Sequence, residues 1–284
     1  MKDFIFANYN FVVNKIFDNY FFVGDEKVLI EKYYGDIKVL DELYRVSNLL
    51  YFKNKHISTF LLNKENLIYT KKDNYYIILL KINDRESYIS LNYLLNEFID
   101  NKLPELNLIN KISDDIDSFE EKLQSFNSEF KLLQDSCNYF IGMSENAIEL
   151  LNEYSYVGND IVHNISFDSF NIESINNPLY LVKSNKLFDI TNYIKYCFFK
   201  KVLDYDELYL IIKSLNSEYE ECVFFSLMMF SNYYFDMANK IISKEYEEKK
   251  INLFIDSIEM YRELLIYCKS NLKQCKTIQM INWL

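Results

Sequence analysis

Short runs of aromatic and β-branched residues, separated by polar turns, dominate the first 84 residues of the chain. Such runs are typical of β-strands, and they predict strands at Phe4–Val13, Asn19–Val23, Lys27–Tyr34, His56–Leu62, Asn66–Thr70 and Tyr75–Ile82. Between the third and fourth runs, residues 36–53 change to a helical spacing of apolar positions, with Asp36 as the expected N-cap. The pattern predicts a small antiparallel sheet of about five strands with one inserted helix.

Beyond residue 84 the apolar spacing is almost entirely helical. It predicts helices at 88–101, 109–136, 137–154, 186–201, 204–215, 219–243 and 247–271. The exception is the irregular stretch Tyr156–Lys186, which contains Gly158, Pro178 and short strand-like pieces. Residues 222–235 are apolar nearly all round, so we expect them to form the buried helix of this part.

The order of the elements is that of the protein-kinase-like fold. A strand-rich part with one helix comes first, a short polar joint follows, and a larger helical part comes last. We therefore predict an α+β protein with a two-lobed, kinase-like plan. Residues 1–84 are the predicted N-lobe and residues 85–284 the predicted C-lobe, and together they form one domain. An unrelated α+β protein with a segregated sheet would show the same order, and that alternative stays open.

Composition excludes several classes of function. The net charge of −11 argues against a general nucleic-acid binder. Only four glycines are present, at positions 24, 35, 142 and 158, and they are too far apart for a GxGxxG or GxxxxGK[ST] phosphate loop. Two histidines cannot supply a zinc-hydrolase motif such as HExxH. No apolar run is long enough for a membrane span, so we expect no membrane insertion.

The remaining composition indicates the cellular setting. Five cysteines without CxxC spacing are expected to be buried thiols in a reducing cytoplasm. Asp3 after a single lysine, without a small-residue cleavage site, argues against a signal peptide. Only three of the 31 basic residues are arginines, and Asn, Ile, Tyr and Phe are abundant. This composition is typical of an AT-rich bacterial genome.

Two segments resemble the spore coat-associated, kinase-like proteins of endospore-forming bacteria, which belong with the aminoglycoside phosphotransferase-type kinases. The first is YFIGMSENAIELLNEY at residues 139–154, and the second is NPLYLVKSNKLFDITNYIK at residues 177–195. Tyr20–Val23 and Lys27–Ile30 are similar, less specifically, to the second and third strands of that family. The subgroup that the chain resembles is the YutH-type coat protein, and the CotS type is more distant. The resemblance implies a kinase-like fold and a place in the mother cell or spore coat.

Phosphoryl transfer from ATP needs a lysine on the phosphates, carboxylates that hold Mg²⁺ and an aspartate that orients the attacking hydroxyl. The resemblance places the lysine of the third strand at Lys32, with Glu42 or Asp41 as its partner on the helix. Lys32 and Glu42 would be weak nucleotide-binding candidates. The alternative is that both side chains are simply solvated.

The catalytic loop of active relatives has the pattern HxDxxxxN, and the matching stretch here is Val162–Asn171. His163 fits the first position, but Ile165 stands at the aspartate position and Phe170 at the asparagine position. His163 and Asp168 remain weak catalytic candidates. A lone histidine is more often structural, and that alternative stays open for His163.

The metal-binding aspartate of the family corresponds to Ser184, whose neutral hydroxyl is a poor Mg²⁺ ligand. Asp189 matches the second aspartate of the segment, which implies a structural role in accepting hydrogen bonds from the catalytic-loop backbone. A carboxylate favoured by the dipole at a helix N-terminus is the compatible alternative. We therefore expect no metal site and no bound ATP or Mg²⁺.

These observations predict a pseudokinase that acts as a scaffold of the spore coat or of coat assembly, with other coat or morphogenetic proteins as partners. The alternative is a divergent small-molecule or protein phosphotransferase, with ATP and Mg²⁺ as cofactors and with metal ligands relocated to Asp160, Asp168 or Glu173. A third hypothesis, a phage or host-interaction protein of unrelated fold, requires that residues 3–82 do not form one sheet with a helix across it. The sequence leaves the oligomeric state open.

Overall fold

The structure is a computed structural model that describes residues 1–53, 55–83, 99–125, 129–154 and 158–282. The predicted lobe boundary at residue 84 and most of the predicted helix 88–101 lie outside the described residues. By its contacts the chain divides into two compact units. Unit 1 comprises residues 1–104, 163–165 and 169–183, and unit 2 comprises residues 105–162, 166–168 and 184–284.

Unit 1 contains an antiparallel sheet of six short strands. They are β1 (Ile16–Phe17), β2 (Tyr20–Val23), β3 (Glu26–Tyr33), β4 (Thr59–Phe60), β5 (Thr70–Lys72) and β6 (Tyr75–Lys81). Their order is β1-β2-β3-β6-β4, and β5 also pairs with β6. In the register of the central pairs, Phe21 lies opposite Val28 and Ile30 opposite Leu79. The predicted antiparallel sheet is confirmed.

The strand predicted at Phe4–Val13 is wrong, because residues Lys2–Tyr9 form helix α1. Ile5 and Tyr9 are four residues apart and therefore lie on one face of this helix, where both are buried against the sheet. Asn10 takes a left-handed conformation and ends the helix. Aromatic residues favour strands on average, but packing onto the sheet decides the structure here.

Helix α2 (Ile37–Phe52) is the inserted helix that the apolar spacing predicts. The side chain of Asp36 accepts a hydrogen bond from the backbone N–H of Lys38 at 2.9 Å, so the predicted N-cap is confirmed. Its buried residues are Leu40, Leu43, Val46, Ser47 and Leu50. The sheet and this helix occur together, which is what the kinase-like prediction requires. The hypothesis of an unrelated fold required that they do not.

Two long helices, α3 (Leu108–Ser125) and α4 (Lys131–Glu153), open unit 2. The predicted break between residues 136 and 137 is wrong, because α4 runs continuously through both positions. The apolar stripes of the two helices follow each other closely, so spacing alone did not locate the break.

The irregular stretch in the middle of the chain contains β7 (Asp160–His163), the short helix α5 (Ile172–Ile175) and β8 (Leu181–Ser184). Two 3₁₀ turns, at Phe167–Ser169 and Pro178–Tyr180, lie between these elements. Strands β7 and β8 form a second, two-stranded sheet. The strand-like pieces predicted within this stretch are thereby confirmed.

The rest of unit 2 is helical. It contains α6 (Leu187–Phe199), α7 (Tyr205–Ser214), α8 (Glu218–Met229), α9 (Asn232–Ile242), α10 (Asn252–Ile255), α11 (Ile258–Asn271) and α12 (Lys276–Met280). The helix predicted over 219–243 is broken at Phe230, where the backbone becomes extended. The burial predicted for residues 222–235 is confirmed for α8, whose residues from Cys222 to Met229 are all buried.

Helix and strand content together confirm the predicted α+β class, with a small antiparallel sheet first and a larger helical part after it. All five cysteines are free and buried, as expected. Within the described ranges, no helix combines the length and the apolar character that crossing a membrane requires.

Candidate functional site

Strand β3 presents two chemically different faces, because successive side chains in a strand point to opposite sides. Val28 and Ile30 belong to the apolar cluster that includes Ile5 and Tyr9 of α1. Lys27, Leu29 and Glu31 point to the opposite side. We call this side the Glu31 face, and two of its three side chains, Lys27 and Glu31, are charged.

The middle stretch of the chain covers the Glu31 face. The side-chain amide of Asn177 donates to the carboxylate of Glu31 at 3.0 Å, and Lys27 forms an ion pair with Glu173 of α5. The backbone N–H of Ser58 donates to the carbonyl of Asn176 at 2.7 Å. The 3₁₀ turn that follows Asn177 also contacts α2. Residues 169–183 are therefore attached both to β3 and to the segment before β4.

Glu31 is a half-buried carboxyl group with an altered proton affinity. Burial raises its pKa, the hydrogen bond from Asn177 opposes that change, and the negative charge of Glu173 adds to it. Burial also raises the pKa of the neighbouring Tyr180, and the charge of Glu31 contributes. A polyphosphate brought to this face would meet the carboxylates of Glu31 and Glu173 and one cation, Lys27, which is already paired with Glu173. The electrostatics of the face therefore oppose phosphate binding.

The two nucleotide-binding candidates lie in separate places. Lys32 shares the face of Val28 and Ile30, and its ammonium lies 5.5 Å from the ring centre of Tyr75. Glu42 accepts hydrogen bonds from Arg45 at 2.7 and 2.8 Å and from the backbone N–H of Lys102 at 2.6 Å. The Arg45 hydrogen bonds lower the pKa of Glu42. The structure does not bring Lys32 and Glu42 together as an ion pair.

The predicted catalytic loop has an apolar, buried interior. Ile165 and Phe170, at the positions of the family's aspartate and asparagine, are 5% and 4% exposed. His163 is the last residue of β7 and is buried. The carboxylate of Asp168 forms an ion pair with Lys240 of α9 at 2.9 Å. Neither the Ile165 nor the Phe170 side chain has an atom that could orient a hydroxyl or bind a metal.

Ser184 and Gly158 meet in a tight backbone contact. The hydroxyl of Ser184 is fully buried and donates to the carbonyl of Leu106 at 2.9 Å. A Cβ atom on Gly158 would lie 2.4 Å from the backbone carbon of Ser184, so only glycine fits there. The hydroxyl of Ser184 thus serves packing at the position where the family places a metal ligand.

Asp189 lies in the first turn of α6 and is buried, at 2% exposed. Two other polar side chains serve the same helix start. Asp160 accepts from the backbone N–H of Lys186 at 3.1 Å, and Asn185 accepts from the N–H of Leu187 at 2.9 Å. A carboxylate in this position is favoured by the helix dipole.

The three carboxylates considered as relocated metal ligands each have their own partner. Asp160 binds the start of α6, Asp168 pairs with Lys240, and Glu173 pairs with Lys27. Among the described residues, no group of three or more His, Cys, Asp or Glu side chains is arranged to hold a metal ion.

An open cleft of about 1240 Å³ in unit 1 borders the start of β3. Three lysines line it, Lys27, Lys55 and Lys81, together with the acidic Asp25, Glu26 and Glu173. Lys27 pairs with Glu173 and Lys81 with Glu26. Because acidic groups neutralise this lining, the cleft lacks the concentrated positive charge that a polyphosphate needs.

Glu31, the residue that defines this site, was not predicted from the sequence. A signal was present, because Lys32 follows Ile30 by two positions and must share its apolar face. The same alternation places Glu31 on the opposite side. The partners of Glu31 could not be predicted, since Asn177 lies 146 residues away in the chain.

The comparisons with known proteins identify the fold. No family profile and no curated protein matches the chain. Among solved structures, the chain is similar to an aminoglycoside phosphotransferase from Alicyclobacillus acidocaldarius, with a TM-score of 0.67 and 7% identity, covering 99% of this chain and 97% of that one. It is also similar to an AMP-bound spectinomycin phosphotransferase, with a TM-score of 0.53 and 10% identity over 89% and 96%. The chain therefore has the kinase-like fold of the aminoglycoside phosphotransferases.

Proposed function

We propose that this protein is a pseudokinase, a kinase-like protein without phosphotransferase activity that acts through its surfaces as a scaffold. The observation that carries the proposal is Glu31. Its carboxylate stands on the face of β3 that the middle stretch of the chain covers, whereas Lys32 stands on the other face. A carboxylate there repels the phosphates that a lysine would hold.

The predicted loop supports the same conclusion. Ile165 and Phe170 are buried apolar residues, and the hydroxyl of Ser184 is engaged by the carbonyl of Leu106. The carboxylate that would orient the nucleophile is replaced by Ile165, and the carboxylate that would hold Mg²⁺ is replaced by Ser184. Phosphoryl transfer is almost entirely positioning and electrostatic stabilisation, so these losses remove its main contributions.

We assign the scaffold to the spore coat or to coat assembly in an endospore-forming bacterium, with other coat or morphogenetic proteins as partners. The support is the resemblance of residues 139–154 and 177–195 to the YutH-type coat proteins. The test is a strain of such a bacterium in which the gene is replaced by a fluorescent fusion. Late in sporulation, its mother cells should show fluorescence at the forespore surface. Uniform fluorescence through the cytoplasm at that stage would contradict the assignment.

The divergent phosphotransferase remains the second candidate, since it has the same fold. Its metal ligands would be Asp160, Asp168 or Glu173, and Mg²⁺ would have to displace Lys240 from Asp168 or Lys27 from Glu173. ATP and Mg²⁺ are cofactors only under this alternative.

Titration calorimetry with ATP and MgCl₂ separates the two candidates. The pseudokinase should release no measurable heat of binding, and its melting temperature should not change with the nucleotide. In parallel, radiolabelled ATP should transfer no phosphate to the protein itself or to aminoglycosides.

A Glu31→Gln variant is the informative companion, because it removes the negative charge and keeps an amide-sized group beside Asn177. If charge is what opposes the phosphates, this variant should bind ATP more tightly than the wild type and still transfer no phosphate. Mg²⁺-dependent binding accompanied by transfer in the wild type would overturn the proposal and favour the second candidate.

A further inference from the structure

Two of the five cysteines lie against the same turn of α4. The thiol of Cys222, on α8, donates to the carbonyl of Leu150 at 3.3 Å. The thiol of Cys275, at the start of α12, lies 3.8 Å from the hydroxyl of Tyr154. Leu150 and Tyr154 are four residues apart, about one helical turn. Both thiols are fully buried, and they approach this turn from two different helices.

A buried carboxylate fixes the backbone of Cys275 beside α8. Glu221 is 3% exposed, and its two oxygens accept hydrogen bonds from three consecutive backbone N–H groups. The donors are Lys273 at 2.9 Å, Gln274 at 2.7 Å and Cys275 at 2.9 Å. Because Glu221 directly precedes Cys222, the same contact brings Cys275 next to Cys222 along α8.

Cys275 also contributes to the raised pKa of the Cys222 thiol. Burial raises the pKa of the Cys222 thiol to about 12, and the neighbouring Cys275 adds to that shift by its charge and by a direct hydrogen bond. Cys268 on α11 is equally buried, and burial raises its pKa to about 12 with no other cysteine involved. Cys222 and Cys275 are therefore a pair, and Cys268 is a matched single thiol.

Access to the pair depends on residues 273–280. A protonated thiol buried in apolar surroundings is inert, because the thiolate is the nucleophile in disulfide exchange. The segment contains only the five-residue helix α12, and Glu221 supplies the three hydrogen bonds at its beginning. If this short segment detached, Cys275 would be exposed while α8 kept its own backbone hydrogen bonds.

We propose that Cys222 and Cys275 are a modification site, at which a small-molecule disulfide oxidant forms an intramolecular disulfide that locks residues 273–280 onto α8. In the first step the Cys275 thiolate attacks one sulfur of oxidised glutathione, forms a mixed disulfide and releases one glutathione thiolate. The Cys222 thiolate then attacks the sulfur of Cys275 and releases the second glutathione. The cysteines lose two electrons and two protons, and two glutathione thiols are formed.

The test uses the full chain with oxidised glutathione at pH 8, in buffer and in urea below the unfolding transition. After free thiols are blocked, intact mass and peptide mapping identify the product. We expect the loss of two hydrogens and a single crosslinked peptide pair that joins Cys222 to Cys275. Cys268→Ser should give the same product, whereas Cys222→Ser should stop at a glutathione adduct on Cys275.

A Glu221→Gln variant tests the role of the segment, since an amide loses the charge-assisted hydrogen bonds to residues 273–275. It should form the disulfide severalfold faster than the wild type. The oxidised wild type should in turn resist proteolytic cleavage within 273–280, and a reductant should restore cleavage. Pairing of other cysteines, an accumulated mixed disulfide in the wild type, or no oxidation in either buffer or urea would overturn the proposal.

Discussion

Lys195 has a buried amino group, and all three of its hydrogen-bond donors are used. Its ammonium group donates to the carbonyls of Leu227 and Phe230 at 3.1 Å and to the side chain of Asn232 at 2.5 Å. The first two acceptors are at the C-terminal end of α8, where carbonyls lack helical partners and a cation is favoured. Burial lowers the pKa of Lys195 to about 7, and the charge of Asp236 opposes that change.

Replacing Lys195 by methionine should lower the free energy of unfolding by about 2–4 kcal/mol, because buried carbonyls at the end of α8 lose their donor. Urea unfolding followed by circular dichroism measures the change. Lys213→Met, at an exposed position of α7, is the matched control and should stay within about 0.5 kcal/mol of the wild type. Equal effects of the two substitutions would contradict the capping role.

Asp236 should make the stability of the protein depend on pH. Burial raises its pKa to about 6, Lys111 and Lys240 oppose that change, and Asp115 adds to it. The folded state then binds more protons than the unfolded state between the ordinary pKa of about 4 and pH 6. The free energy of unfolding contributed by this group therefore falls as the pH rises through that range.

An Asp236→Asn variant should remove this dependence. The free energy of unfolding of the variant minus that of the wild type should increase by up to about 3 kcal/mol from pH 4 to pH 7. This is the free energy that corresponds to a pKa shift of about two units. Urea titrations at several pH values measure the difference. Asp256→Asn, at an exposed position, should run parallel to the wild type, and a parallel curve for Asp236→Asn would contradict the prediction.

At the scale of secondary structure elements, several ends are completed by residues distant in the chain. Helix α4 begins after Phe130, which provides no side-chain cap. Instead the carboxylate of Glu248 accepts from the backbone N–H groups of Leu132 at 2.7 Å and Leu133 at 3.3 Å. Glu221 serves residues 273–275 in the same way. These carboxylates join elements that no local sequence pattern connects.

Removing the Glu248 side chain should destabilise unit 2 through the start of α4. Glu248→Ala should cost about 0.5–2 kcal/mol, the range measured for the loss of a helix N-cap. The neighbouring Glu247, which is exposed and pairs with Lys249, provides a control. Glu247→Ala should leave the urea midpoint unchanged, and an unchanged midpoint for Glu248→Ala as well would show that the trans cap is dispensable.

Whether a helix could be predicted depended on whether the residues that stabilise it lie close to it in the chain. Helix α2 was predicted with its N-cap, because Asp36 and the apolar stripe are both local features. Helix α1 was missed, because its two buried residues, Ile5 and Tyr9, pack against sheet residues that lie further along the chain. The break before α9 was missed because Phe230 continues the apolar run of α8, and the two polar residues after it, Ser231 and Asn232, are too short an interruption to end a helical pattern.

At the scale of the whole molecule, the fold persists with little sequence identity. The aminoglycoside phosphotransferase from Alicyclobacillus acidocaldarius shares 7% identical residues with this chain over nearly the full length of both. What the two share is a fold, which in this chain consists of a small sheet, an inserted helix and a helical part in that order. Such an order requires apolar positions at suitable spacing, and it does not require particular side chains.

The excess of acidic residues is a property of the whole chain. A net charge of −11 and an isoelectric point of about 4.9 predict a solubility minimum near pH 5, where mutual repulsion between molecules is lost. Light scattering at constant protein concentration should show a maximum there and should fall again below pH 4 and above pH 6. Scattering that is independent of pH would contradict this prediction.

The sequence by itself determined the α+β class, the order of the sheet and the helices, and the absence of a phosphate loop and of carboxylates at positions 165 and 184. These follow from spacing, propensity and residue identity, which are local properties. Only the tertiary structure decided that Glu31 binds Asn177, that Lys195 is buried, that Glu248 caps α4 and that Cys222 and Cys275 meet. Each of these contacts joins residues that are distant in the chain, and it exists because packing brings their elements together.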